Sequence, residues 1–299
     1  MGKSNNSGLM IIVIILAVLL VGGTESTSKG GSLFSPTPKT PAQQQADIQR
    51  QITDTKYKVD ELKKQVAIEE AKKTQSRYKN IVDLYFINHS SDPSKEYISI
   101  HVNSTATTSI KITGWTLKSL SSGVSVKIPQ ASYLFFANSI NSEQDIYLSA
   151  NETLYLITGI SPNGASFKVN KCSGYLNQFQ TFIPYIGGYC PAPRNENLSS
   201  IPKTVYNDSC FDFINSMPSC RIQTNPLPAS SQKWSAECID FIYKKINYPA
   251  CVDTHKNDQD FYQKDWRVYL KRSEHLWKNT REDVVLLDEY GKIVDEIKY

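Results

Sequence analysis

Two hydrophobic periods divide the chain. Between residues 46 and 80, apolar residues recur at alternating steps of four and three, which is the seam spacing of a heptad. The seam consists of Ile48, Ile52, Val59, Leu62 and Val66, with Thr55 in the remaining position. Charged residues flank this seam, so the pattern predicts a long helix. Two interpretations stay open: a self-associating coiled-coil stalk, or a solitary amphipathic helix lying on the domain that follows.

From residue 81 the period changes to two. Short β-branched and aromatic runs alternate with polar residues, and turn-forming segments rich in Ser, Asn and Gly separate them. The runs cover residues 96–102, 110–117, 125–129, 132–137, 145–149 and 153–159, and a further pair around Gly291 covers residues 283–299. Short strands at this spacing predict a mainly β fold, a two-sheet sandwich over residues 81–170 and 266–299 that ends in a hairpin.

A segment of different character, residues 171–265, interrupts the predicted sandwich. It contains the pattern Cys-x-Asp-Phe-Ile twice, beginning at Cys210 and at Cys238, and each copy ends in Pro-x-Cys. In a helix the cysteine and the isoleucine of each copy lie one turn apart on an apolar face. Pro218 and Pro249 are expected to end the two helices. The segment is therefore predicted to be a helical insertion stabilised by disulfides.

The six cysteines all lie in this insertion, and none forms a Cys-x-x-Cys pair. They are Cys172, Cys190, Cys210, Cys220, Cys238 and Cys251. An even, clustered set without metal-ligand spacing predicts three disulfides rather than a zinc or redox site. A self-sufficient repeat favours local pairing, Cys210–Cys220 and Cys238–Cys251, which leaves Cys172–Cys190. The competing scheme links the two copies to each other.

The first residues predict a location. Residues 9–24 are apolar and uncharged after a polar tail, residues 1–8, and a linker rich in Gly, Ser, Pro and Gln follows over residues 25–45. The apolar stretch is either a single-pass membrane anchor of near-minimal length or a cleaved signal peptide. Disulfides form in oxidising compartments, so the body is expected outside the cytoplasm. The small net charge of +4 makes nucleic acid an unlikely partner.

Both ends of the predicted sandwich resemble a known family. The strand Glu-Tyr-Ile-Ser-Ile from Glu96, followed by Ile-x-Ile-x-Gly-Trp-x-Leu from Ile110, is similar to the opening of a lamin tail domain. The closing sequence from Asp283, with Gly291 in its turn and a terminal tyrosine, resembles that family's last hairpin. The resemblance implies an immunoglobulin-like β-sandwich in which Gly114, Trp115 and Gly291 are core positions, with the glycine beside Trp115 admitting a neighbouring backbone.

The resemblance also carries an expectation of function. The predicted anchor, stalk and disulfides are similar to those of membrane-attached bacterial lamin-tail proteins, and the long insertion departs from ordinary lamin tails. We therefore expect a non-enzymatic interaction or scaffold protein with an unidentified protein or envelope-polymer ligand and no cofactor. The alternative is a cell-envelope hydrolase whose site lies in the insertion, although the sequence has no nucleophile, paired-carboxylate or metal motif.

Two local clusters offer binding chemistry. Residues 265–281 are predicted to form a helix in which basic residues interleave with Trp266, Tyr269 and Trp277, which suits a polyanion or simply docks the helix on the sandwich. Its basic members are Arg267, Lys271, Arg272, Lys278 and Arg281. A second group, Asp253, His255, Asp258 and Asp260, is either a hard-cation site or a solvated acidic loop, and its spacing is not that of a calcium motif.

Overall fold

The computed structural model describes residues 40–136, 139–278 and 280–299, which form a mixed helix and sheet structure. Helix α1 (Pro41–Thr74) begins within the predicted linker and ends before residue 80. Its seam residues Ile48, Ile52, Leu62 and Val66 are exposed. In residues 40–299, apart from the gaps just given, no helix has the length and apolarity to cross a bilayer. The predicted anchor and most of the linker lie outside the described residues.

The strands after α1 form two large sheets and one small one. A five-stranded sheet has the order β1-β2-β7-β9-β8, in which only β7 and β9 pair in parallel. A four-stranded antiparallel sheet has the order β11-β10-β4-β5, and β3 pairs with β6. The strands are β1 (Val82–Asn88), β2 (Tyr97–Val102), β3 (Ile110–Lys111), β4 (Thr116–Ser119), β5 (Ser125–Lys127), β6 (Tyr147–Leu148), β7 (Thr153–Ile157), β8 (Phe167–Asn170), β9 (Tyr262–Tyr269), β10 (Asp283–Leu287) and β11 (Ile293–Lys298).

The two large sheets share one hydrophobic core, and Trp115 lies in it. Ile98 and Leu154 of the five-stranded sheet and Leu286 of the other join the same buried cluster. Trp115 is 0% exposed, its ring centroid lies 5.1 Å from that of Tyr78, and its Nε1 donates to Glu289. The C-terminal hairpin pairs with β4 through β10. Burial of Trp115 between sheets that include the closing hairpin is therefore confirmed.

Gly114 serves a different purpose from the one expected. The run 110–117 is not one strand, since β3 ends at Lys111 and β4 begins at Thr116, and between them Gly114 has φ +86°. A Cβ at this position would meet no atom within 4 Å, so the expected close approach of another backbone is wrong. Glycine is favoured because it adopts a positive φ at low cost. Gly291, in the hairpin turn, has φ +73° for the same reason. Both glycines are exposed, so of the three expected core positions only Trp115 lies in the core.

Two other predicted elements are corrected. The strand predicted over residues 132–137 does not form in residues 132–136, where Ser132 alone makes an isolated bridge, to Phe167. The predicted helix over residues 265–281 is wrong, because residues 262–269 are strand β9. In the strand, Trp266 and Val268 enter the core between the sheets, while Arg267 and Tyr269 point to the opposite surface. Sheet pairing with β7 and β8 thus overrides the helical spacing.

Short helices make up much of the segment between β8 and β9. They are α2 (Asp208–Ser216), α3 (Ala236–Asp240) continued by a π-turn (Phe241–Lys245), and α4 (Tyr248–His255). Cys210 and Ile214, like Cys238 and Ile242, are buried on the apolar face of their helices, as the repeat predicts. Helix α2 ends just before Pro218. Pro249, in contrast, lies in the first turn of α4, where a missing N–H costs nothing, so it begins a helix instead of ending one.

The local disulfide scheme is wrong. The structure pairs Cys172 with Cys251, Cys190 with Cys220, and Cys210 with Cys238, with Cα–Cα distances of 5.8, 5.2 and 6.5 Å. Because Cys210 and Cys238 lie on the buried faces of two helices that share one core, the bridge joins the helices. The second cysteine of each copy lies nearer to Cys190 or Cys172, which precede the repeat.

The disulfide-linked segment packs on the outer surface of the five-stranded sheet. Phe167 and Val169 of β8 and Tyr269 of β9 belong to its hydrophobic core rather than to the core between the sheets. This arrangement covers β8 and part of β9. The segment does not cover the outer surface of β1 and β2 or much of that of β7. The candidate site lies on this neighbouring surface.

Candidate binding face

A cluster of aromatic side chains occupies this outer surface. Along β1, β2 and β7, the aliphatic side chains other than Ile157 point into the core between the sheets, and the intervening residues point out. The outward residues are unusually rich in rings. We call the following set the aromatic face: Tyr85, Phe86, Tyr97, His101 and Tyr155, with Tyr189 from the adjacent loop.

The rings of the face form a row across neighbouring strands. The ring centroids of Phe86 and Tyr97 lie 6.1 Å apart, and those of Tyr97 and Tyr155 lie 5.8 Å apart. Tyr85 lies 6.3 Å from His101, whose Nδ1 is 3.0 Å from Thr153 Oγ1. The ring planes of Phe86 and Tyr97 are inclined by 48°, and those of Tyr97 and Tyr155 by 73°, so neighbouring rings are not coplanar. Tyr85 and Phe86 are exposed, at 76% and 49%, whereas Tyr97 and Tyr155 are partly buried and also pack against the core of the disulfide-linked segment.

Arg267 supports the row from below. Its guanidinium lies 4.3 Å from the ring centroid of Tyr155, and its Nη2 donates to the carbonyl of Tyr185 at 3.3 Å. Asp265 is the paired carboxylate at 3.7 Å. The side chain is 2% exposed, and burial lowers the pKa of Arg267 below its ordinary value. Arg267 therefore holds Tyr155 and the loop together and is closed to a ligand.

A loop beside β7 and β9 completes the face. Ile186 is fully buried and its carbonyl accepts from Asn177 at 2.6 Å, while Cys190 is bonded to Cys220. A Cβ on Gly187 would overlap the ring of Tyr189, so the glycine allows that ring to lie against the backbone. Tyr189 is 51% exposed, and its loop is held beside Tyr155 because Arg267, which contacts the Tyr155 ring, also donates to the carbonyl of Tyr185. The disulfide-linked segment thus contributes one wall of the face.

The face has little accessible positive charge. Burial raises the pKa of both Tyr97 and Tyr155, which keeps their hydroxyls neutral. Asp83, two residues before Tyr85, has a pKa raised first by burial and then by Asp295. At the rim, Lys95 is paired with Asp92 at 3.6 Å. The surface is therefore a largely uncharged array of rings and hydroxyls.

The structure separates the predicted polyanion residues. Arg267 is buried, and Trp266, Tyr269 and Trp277 are buried as well. The remaining basic residues belong to the connection after β9, where Arg272 lies 3.8 Å from Glu274 and Lys278 Nζ donates to the carbonyl of Ser121. Polyanion binding by Lys271, Arg272, Lys278 and Arg281 stays a prediction. The aromatic residues that were expected to take part in it are buried.

The second predicted cluster is internally neutralised. Lys171 Nζ binds Asp258 at 2.8 Å and Asp260 at 2.6 Å, where a cation would have been expected. His255 lies between two carboxylates, with Nδ1 2.8 Å from Asp258 and Nε2 3.0 Å from Glu196. Asp253 is paired with Lys256 instead. In the part of the chain that the structure describes, no group of His, Cys, Asp and Glu is arranged to hold a metal ion.

This cluster predicts a pH dependence of stability. Burial alone lowers the pKa of His255, but the hydrogen bonds and charges of Asp258 and Glu196 outweigh burial, so the pKa is raised above its ordinary 6.5. The stabilisation is complete below that ordinary value and is lost as the pH rises through the raised pKa. His255→Gln should therefore flatten the fall of the unfolding temperature above pH 6.5, measured by thermal unfolding.

The matched control for this prediction is His89→Gln, because His89 stacks on Tyr299 at 4.8 Å instead of binding carboxylates. An identical pH slope for His255→Gln and the wild type would contradict the role of the cluster. At the acid end, hydrogen bonds from Lys171 and then His255 lower the pKa of Asp258, so its contribution is lost only when the pH falls below that residue's ordinary value.

Neither a small cavity at the start of β2 nor the aromatic cage around Lys168 has the residues of a catalytic site. A cavity of about 190 Å³ where β2 begins is smaller than the ~300 Å³ at which ligand pockets usually start, and its polar lining is Ser94, Lys95, Thr181 and Tyr269. Ser94 donates to Asp92, and no histidine lines this cavity.

Between the sheets, an aromatic cage surrounds the ammonium of Lys168, which lies 5.3 Å from the ring centroid of Trp266 and is neutralised by Glu152 Oε1 at 2.6 Å. That cage is filled by the protein itself.

The sequence pattern does not reveal the aromatic face. Tyr85 and Phe86 belong to β1, which lies at the edge of the region predicted to be strands, and Tyr155 is one of many aromatic residues spread over the predicted strands. The available signal was the alternation of ring and aliphatic residues in Tyr97–Val102 and Thr153–Ile157. Comparisons with protein-family models, curated proteins and solved structures give no match for this chain.

Proposed function

We propose that this chain is a non-enzymatic extracytoplasmic binding or scaffold protein whose recognition surface is the aromatic face. Exposed tyrosines supply large contact area with few rotatable bonds together with hydroxyls that can donate or accept, which is the composition of many recognition surfaces. The row of rings from Phe86 to Tyr155 is the observation that carries the proposal. Three disulfides in the segment beside it are compatible with an extracytoplasmic location.

The wider architecture is part of the same proposal. The facing sheets, the buried Trp115 and the closing hairpin support an immunoglobulin-like module of the lamin tail type, with the disulfide-linked segment inserted before the last hairpin. In this proposal residues 9–24 hold the chain in the membrane, and the helix over residues 41–74 is a stalk. If the helix self-associates, its exposed apolar seam is the contact surface. Lys58 and Lys63 flank this seam.

The experiment is sedimentation with envelope fragments from source cells that lack the chain. Full-length protein is kept in a detergent without sugar headgroups, and binding is measured for the wild type, Tyr97→Ala and Phe86→Ala. We expect both substitutions to weaken binding at least tenfold, equivalent to about 1.4 kcal/mol, because each removes one ring of the row.

Tyr290→Ala is the matched control, since Tyr290 is 75% exposed at the turn between β10 and β11, which belong to the four-stranded sheet and not to the sheet that carries the face. Unfolding temperatures establish that each variant is folded. Binding that is equal in the wild type and both face variants would refute the proposed function, and so would a wild type that fails to sediment with the fragments.

A further inference from the structure

We infer that the ligand of the aromatic face is an uncharged polysaccharide. This inference rests on the proposed function, because it assigns a ligand class to the same surface. Three properties of the face select the ligand: the direction of the row, the mixture of rings and hydroxyls, and the shortage of accessible cations.

The direction of the row suits an extended chain. Phe86, Tyr97 and Tyr155 come from β1, β2 and β7, which are consecutive strands of the sheet, so the row runs across the strands. Successive rings are 6.1 and 5.8 Å apart, somewhat more than the ~4.8 Å between neighbouring strands. Phe86 and Tyr155 both lie level with Ser99, and Tyr97 lies two residues further along β2, so the row bends at Tyr97. A linear polymer that crosses the strands can contact all three rings.

The chemistry of the row suits sugars. A pyranose ring has faces of C–H groups and a rim of hydroxyls, so it needs aromatic faces to cover the former and hydrogen-bonding groups beside them for the latter. Tyrosine supplies both, since its hydroxyl can donate and accept. The different tilts of neighbouring rings, 48° and 73°, place ring faces and ring edges next to one another along the row.

The charges disfavour the other polymers. Single-stranded nucleic acids also stack on aromatic rings, but they bind in grooves rich in Lys and Arg. None of the six residues of the face is Lys or Arg; Arg267 beneath them is buried and matched by Asp265, and Lys95 at the rim is matched by Asp92. Protein interfaces are enriched in Met and Arg as well as in aromatic residues, and the face offers the aromatic residues without exposed Met or Arg. The shortage of accessible charge therefore favours an uncharged, hydroxyl-rich polymer, and a protein partner is the outcome that the test separates from it.

The test is competition against envelope binding. Polysaccharide is released from protease-treated envelope fragments and divided by anion exchange into a neutral and an acidic fraction. Wild-type chain bound to envelope fragments is then challenged with each fraction, with heparin and with oligo(dT). We expect the neutral fraction to displace at least nine-tenths of the bound chain, and the acidic fraction, heparin and oligo(dT) to displace little of it. Raising the salt about tenfold should leave binding unchanged, because a neutral ligand releases no counterions.

A direct measurement uses the same neutral fraction. Retention of the wild type and of Tyr290→Ala on the immobilised fraction should be equal, whereas Phe86→Ala and Tyr189→Ala should be retained at least tenfold less. Both face residues are half exposed, so their removal is not expected to unfold the protein. Gly187→Ala, which displaces the ring of Tyr189, should weaken retention in the same direction.

The outcomes distinguish the two proposals. Envelope binding that depends on Phe86 and Tyr97 but is displaced by heparin or the acidic fraction, and not by the neutral one, overturns the polysaccharide inference and leaves the proposed function intact. Envelope binding abolished by protease treatment of the fragments does the same and identifies a protein partner. Envelope binding that is insensitive to both substitutions overturns both.

Discussion

Trp115→Ala is expected to lower the free energy of unfolding by about 3–5 kcal/mol, the usual cost of deleting a large aromatic side chain from a core. Trp115 is 0% exposed and contacts the shared core of both large sheets. Its removal leaves a cavity bordered by Tyr78 and by strands of the closing hairpin, which cannot collapse without moving paired strands. Urea unfolding of the folded body, followed by tyrosine and tryptophan fluorescence and circular dichroism, measures the change.

Two matched variants separate the causes of this loss. Trp115→Phe keeps most of the apolar contact and removes only the Nε1 bond to Glu289, so it should cost less than half as much. Tyr290→Ala removes an exposed aromatic side chain and should change stability by less than about 0.5 kcal/mol. A Trp115→Ala protein as stable as Tyr290→Ala would contradict the shared core between the sheets.

Local pattern was sufficient for parts of this fold. The alternation in Tyr97–Val102 and Thr153–Ile157 predicts strands because their aliphatic residues, apart from Ile157, enter the core between the sheets. The hairpin around Gly291 is predictable because its turn and both strands are contiguous. Burial of Cys210 and Cys238 follows from helical spacing. In each case the deciding information lies within a few residues.

The failures required information from distant residues. Strand β9 pairs in parallel with β7 more than 100 positions earlier, as in Leu154 with Trp266, and only that pairing makes its pattern a strand pattern. The connection after β9 is fixed by a buried carboxylate, Glu96, which accepts from the backbone N–H of Leu276 at 2.8 Å. The aromatic face likewise needs β1, β2 and β7 to be adjacent before its rings form a row.

The disulfides show the same limit. A repeated unit suggests self-contained pairing, yet bridges depend on which chains approach within reach. Cys251 lies on α4 beside Cys172 at the end of β8, although the two are 79 positions apart in the chain. The repeat therefore predicted the buried positions of its cysteines correctly and their partners incorrectly.

The observed pairing predicts an order of stabilities. Replacing both Cys172 and Cys251 with alanine opens a loop of 79 residues and should cost about 4.5 kcal/mol by the chain-entropy relation. Replacing both Cys210 and Cys238 opens one of 28 residues and should cost about 3.6 kcal/mol. All four cysteines are buried, so the lost packing is similar and the difference of about 1 kcal/mol reports the loop length.

Urea unfolding of the two double variants under reversible conditions measures this difference. The Cys172–Cys251 bridge also fixes α4 to the sheet beside the loop that carries Tyr189, so its removal should weaken envelope binding more than removal of Cys210–Cys238 does. Equal costs for the two double variants would show that strain or structure in the unfolded chain, not loop closure, determines the contribution of these bridges. If removing Cys210–Cys238 lowers the free energy of unfolding more than removing Cys172–Cys251 does, the bridge between α2 and α3 stabilises the segment more than the bridge that attaches α4 to the sheet. The position of the loop that carries Tyr189 would then depend mainly on how α2 and α3 are joined.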